Sequence, residues 1–156
     1  MRFNNLCFLV LSLCALMALS SSRAAAQQLR LNGGNQTMTI STGVAGGQLT
    51  DAVNTSCTLR YRRQSTIAKI TVATSCPGQN FTLRVLALSV TRGVAAPEVT
   101  LQDGAPAMDL ITGIPSSGFT NATCTLRYTA AATFAQGNST EVGNDVHAIT
   151  YTLQAQ

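Results

Sequence analysis

The octet Asn54-Thr-Ser-Cys-Thr-Leu-Arg-Tyr61 decides how this chain is read, because it returns sixty-seven positions later as Asn121-Ala-Thr-Cys-Thr-Leu-Arg-Tyr128 with six of eight letters identical. The match continues upstream at an offset of seventy, where Met38, Ile40, Thr42, Gly43 and Val44 correspond to Met108, Leu110, Thr112, Gly113 and Ile114. The loop between the two blocks is therefore three residues shorter in the second copy. Within each octet Cys, Leu and Tyr alternate with Thr and Arg, the period of a strand with one covered face. Each copy reads as a strand, a glycine-bearing loop and a second strand, so the chain reads as one β module written twice.

Working outward, Leu29 and Leu31 alternate with polar residues until Gly33-Gly34 breaks the run, which marks a short strand or arm. Residues 36–42 alternate Met38 and Ile40 with threonines and are expected to form the opening strand of the first copy. Residues 43–50 form a glycine-rich loop without the Gly-Lys-Ser/Thr ending of a phosphate loop. Residues 67–74 read as a strand with Ala68, Ile70 and Val72 inward, stopped by Cys76-Pro77-Gly78. Residues 81–91 are the longest apolar run and are expected to form a central strand covered on both faces in its second half. A short strand at 98–102 and a terminal strand at 146–155, with Ile149, Tyr151 and Leu153 alternating, complete about eight strands. No stretch sustains a helical period. The expected fold class is all-β, an antiparallel β-sandwich, Ig-like or pilin-like, built from two related strand-loop-strand repeats.

The first 26 residues read as an export signal: Arg2 opens it, residues 6–19 are nearly all apolar, and Ala24-Ala25-Ala26 offers a small-residue cleavage site. The apolar run is fourteen residues, short of the roughly 20 that a membrane helix needs, so no transmembrane segment is expected. Residues 27–156 then form a single domain, exported to the cell surface or medium. The formal charge of +4 falls to about +2 when Arg2 and Arg23 leave, too weak a bias to imply nucleic acid. Three cysteines stay, Cys57, Cys76 and Cys124, an odd number where disulfides are permitted. A Cys57–Cys76 bridge, a Cys57–Cys124 bridge and buried free thiols all remain open.

Motifs for chemistry are missing. His147 is the single histidine, no Gly-x-Ser-x-Gly nucleophile accompanies it, and it reads as an exposed strand residue. With one histidine and scattered cysteines there is no paired ligand spacing for zinc. Asp103 and Asp109 flank a turn and read as local hydrogen-bonding residues rather than a glycosidase pair. The oxygen-rich loop at 137–145 lacks the acid spacing of a calcium site. Arg60, Arg62, Arg63, Lys69, Arg84 and Arg127 fall on outward strand positions, where cations discourage edge-to-edge aggregation. The sequence thus indicates no catalytic residue, no cofactor and no metal ligand, and a protein that is not an enzyme.

Gly143, fourteenth from the last residue, and the alternating strand after it resemble the end of donor-strand pilins, bacterial pilus and fimbrial subunits that are exported, threonine-rich sandwiches. Ala155 stands where those subunits carry a tyrosine, their early disulfide has no counterpart here, and the Leu29/Leu31 arm is shorter than their donor strand. The resemblance implies a structural, cell-adhesion type of subunit that self-associates by strand addition after meeting a periplasmic chaperone. It implies assembly residues at Leu29 and Leu31 on the arm and at Gly143, Ile149, Tyr151 and Leu153 on the terminal strand. The alternative is a monomeric secreted module that binds a glycan or other surface ligand. Its site would be the loops at 43–50 and 113–119, expected to be brought together by the repeat.

Overall fold

The computed structural model describes residues 28–43, 48–63, 66–116, 121–137 and 139–156. The signal segment, the Gly46-Gly47 centre of the first loop and Phe119 lie outside the described residues.

Among the described residues nine strands form: β1 (Gln28–Asn32), β2 (Ala52–Arg62), β3 (Ala68–Ser75), β4 (Thr82–Leu88), β5 (Val94–Ala95), β6 (Val99–Leu101), β7 (Met108–Ile114), β8 (Ala122–Ala131) and β9 (Ala148–Ala155). They pair antiparallel into two sheets, ordered β1-β2-β8-β4-β6 and β5-β7-β3-β9. One turn of 3₁₀ helix at Phe134–Gln136 and one of α-helix, α1 (Ser139–Val142), interrupt the segment between β8 and β9. No helix among the described residues is long and apolar enough to cross a membrane.

The alternation in the octets is used as written. Cys57, Leu59 and Tyr61 of β2 and Cys124, Leu126 and Tyr128 of β8 are buried, while the residues between them face outward or lie half-covered. They meet Ile70 and Val72 of β3, Leu110 and Ile111 of β7 and Leu153 of β9 in one apolar cluster between the sheets. A fully buried Leu or Val contributes on the order of 1.5–3 kcal/mol, so this cluster is the main source of stability. Leu110 and Ile111 are consecutive yet both buried. The β3–β7 pairing slips on either side of Ile70, and such an irregularity turns neighbouring side chains to the same side.

Two expectations are corrected. Residues 36–42 form no strand; the sole pairing near them is an isolated bridge from Gly43 to Leu49. The alternation there serves another purpose: Met38 packs on the core, while the Gln36 side chain accepts hydrogen bonds from Asn54 Nδ2 at 3.0 Å and Ser56 Oγ at 2.6 Å. The module is therefore alike in its second strand and unlike in its first. Residues 81–91 are also not covered on both faces. Leu83, Val85 and Ala87 are buried, but Leu86 and Leu88 are half-exposed. Leu86 sits opposite Arg127, whose aliphatic stem suits an apolar neighbour while its charge stays in water.

Candidate functional site

The residues singled out for assembly gather along one side of the sandwich. β1 closes one end of the five-stranded sheet and β9 one end of the four-stranded sheet, and the two strands touch. β1 pairs with β2 of its own chain, Leu29 opposite Tyr61 and Leu31 opposite Leu59. That register turns both leucines toward the core, although Leu31 remains 42% exposed. Leu153 of β9 is buried, Ile149 and Tyr151 are half-buried, and the Tyr151 hydroxyl meets that of Tyr128 at 2.6 Å, tying the sheets together. Gly143 follows α1 at φ +84, a conformation that favours glycine.

The described ends of the two loops expected to form a joint ligand surface lie apart. Ala52 at the start of β2 lies opposite Ala130 near the end of β8, and Tyr61 lies opposite Ala122. The loop before β2 and the loop before β8 therefore leave the β2–β8 pair at opposite ends. A shallow groove of about 360 Å³ lies between the first loop at Gln48, Leu49 and Asp51, β4 at Thr82 and Arg84, and the segment after β8 at Ala132 and Gln136.

Three of the six outward cations pair with carboxylates. Arg84 reaches Asp51 at 2.6 Å and Glu98 at 3.4 Å, Arg127 reaches Glu98 at 3.2 Å, and Lys69 reaches Asp109 at 2.8 Å. Asp103 and Asp109 are engaged separately, for Asp103 Oδ1 accepts the Cys76 N–H at 2.7 Å.

His147 is not the exposed residue the sequence suggests; its side chain is 11% exposed. The cause is register. The β3–β9 ladder runs from Ala68 opposite Ala155 to Ser75 opposite Ala148, so the next rung sets Cys76 against His147. His147 Nδ1 lies 3.1 Å from Thr74 Oγ1. Asp145, two residues back, turns inward and accepts the Phe81 N–H at 2.7 Å and the Asn80 N–H at 3.0 Å, fixing the entry to β4. Its Oδ2 stands 4.0 Å from His147 Nε2. One candidate ligand atom from each of Cys76, Asp145 and His147 lies within 4.8 Å of the other two. Burial lowers the His147 pKa against the opposing pull of Asp145 and Asp103. The Cys76 thiol is pushed up by burial first and by the Asp145 carboxylate second. This cluster escapes sequence reading because Cys76 is far in the chain from Asp145 and His147 and is brought to them only by the ladder.

The three cysteines are free and buried. Cys57 faces Leu126 and Cys124 faces Leu59, so the two thiols are diagonal neighbours. Diagonal side chains stand roughly 7–8 Å apart, whereas a disulfide needs Cβ atoms at about 3.5–4.5 Å.

No protein-family model, curated protein or solved structure matches this chain.

Proposed function

We propose that the protein is a non-enzymatic, exported structural subunit of a cell-surface fibre or coat, and that copies join by exchanging β1. The observation that carries this reading is β1 itself. It is a five-residue outermost strand, followed by the exposed segment Gly33-Gly34-Asn35, and it contributes only Leu29 to the core's packing. A short edge strand on an exposed tether opens at low cost. The groove it leaves on β2 has the same register for a neighbour's β1, so exchange repeats every native contact between copies.

The competing reading is a monomeric binding module for a glycan or another surface ligand; the described ends of its two loops, at opposite ends of the β2–β8 pair, favour the assembly reading over it. Removal of residues 27–35 tests the assembly. The intact protein forms dimers and longer chains in size-exclusion chromatography and filaments by electron microscopy at high concentration, and the shortened form stays a folded monomer. Identical monomeric behaviour of both forms, with glycan-array binding by the intact one, overturns the proposal.

A further inference from the structure

We propose that Cys76, Asp145 and His147 form a zinc site. Zinc accepts mixed sulfur, nitrogen and oxygen donors, and a site with three protein ligands takes water as the fourth. Tetrahedral ligands at zinc distances stand about 3.3–3.6 Å from one another, and the three donors already lie within 4.8 Å. Closing the widest separation takes a shift of about 0.7 Å from each of two side chains, within the reach of small rotamer adjustments.

The surroundings of the donors suit a metal. Thr74 Oγ1 meets His147 Nδ1, which leaves Nε2 for the ion and orients the ring through its second nitrogen, as outer partners of metal-bound histidines do. With Nε2 on the ion and the ring neutral, Nδ1 carries the proton and donates it to the threonine hydroxyl oxygen, which can accept. Asp145 is held by two backbone N–H groups, and Asp103 holds the Cys76 backbone. Charge also balances. On binding, the Cys76 thiol releases its proton to the buffer, and the thiolate and carboxylate together neutralise the divalent ion while His147 stays neutral. A neutral set of groups is what a site this buried accommodates at least cost.

A cysteine–histidine–aspartate grouping also resembles a nucleophile with its base. Cys76 is 1% exposed, however, and a nucleophile has to reach its substrate.

The test is titration of cobalt(II), a spectroscopic stand-in for zinc, into the purified, reduced full chain. A single equivalent gives a thiolate-to-cobalt charge-transfer band and the intense visible absorption of tetrahedral coordination, and zinc displaces it. Cys76→Ser abolishes the charge-transfer band, and His147→Gln weakens binding by more than the roughly tenfold that losing an outer partner of a ligand costs. Cys7→Ser, Cys14→Ser, Cys57→Ser and Cys124→Ser leave it unchanged. Circular dichroism shows that each variant is folded. In a second readout, zinc raises the melting temperature of the parent chain and not that of Cys76→Ser. Absence of the band in the folded, reduced parent, or its survival in Cys76→Ser, overturns the proposal.

Discussion

Thr58 of β2 lies directly opposite Thr125 of β8, its own counterpart in the second octet. The twin segments are thus each other's neighbours, running in opposite directions about a local two-fold axis between the two threonines. Leu59 faces Cys124 and Leu126 faces Cys57, the same pair of side chains written in both directions.

Both leucines are completely buried. Leu59→Ala and Leu126→Ala are each expected to cost about 2–5 kcal/mol and to agree within about 1 kcal/mol, read as the shift in urea midpoint. A large inequality would mean that the two environments are not equivalent.

The tyrosines set an alkaline limit. Burial pushes Tyr61 and Tyr128 up to about 12 from an ordinary value of 10, and drives Tyr151 up as well. A group whose folded pKa is raised contributes stability that is fully present below its unfolded pKa and lost as pH rises through its folded pKa. The folded state is therefore expected to weaken between pH 10 and about 12. Cys124, raised to about 11 from 9, begins the loss somewhat earlier, from pH 9. Tyrosinate absorbance should appear together with loss of the sheet signal in circular dichroism; ionisation at ordinary pH with the sheet intact would refute this.

Glycine at position 33 is required in a way that glycine at 34 is not. A Cβ on Gly33 would stand 2.8 Å from Cys57 Sγ and 2.9 Å from Cys57 Cα, at φ +127, whereas one on Gly34 meets nothing within 4 Å, at φ +64. Gly34→Ala is expected to cost about 1 kcal/mol for its left-handed backbone. Gly33→Ala adds a clash with backbone and should cost about 2–3 kcal/mol or release β1. Hydrogen exchange of the β1 amides distinguishes the two.

The thiols Cys57 and Cys124 should stay apart even under oxidising conditions, for their diagonal placement separates them too widely. Mass spectrometry after non-reducing digestion is expected to find no peptide linking them, and alkylation of Cys57, Cys76 and Cys124 to require denaturant. A Cys57–Cys124 cross-link in folded protein would contradict the register.

Period two made β2, β8 and β9 legible, because each has one face on the core and one away from it, and side-chain chemistry follows the pleat. The same period misleads at residues 36–42, where the polar positions bond to Asn54 and Ser56 instead of joining a ladder; alternation records which side is covered and says nothing of whether a strand lies alongside. β5 has two residues and exists only through its pairing with Thr112 and Ile111, so no local signal announces it. Residues 81–91 look doubly covered because Leu86 and Leu88 are apolar, but their cover is cross-strand Arg127 and Thr125. The Cys76–His147 meeting is a matter of register between distant strands, which composition and spacing do not encode.

β3 sits between β7 and β9, and its eight-rung ladder with β9 joins Ala68–Ser75 to Ala148–Ala155, far along the chain. A polypeptide emerging amino end first therefore carries Ile70 and Val72 past every other strand with one flank of β3 still unsatisfied. Long-range pairing of this kind is slow, so the interval in which a foreign strand competes for that flank belongs to biosynthesis, and it closes when β9 arrives.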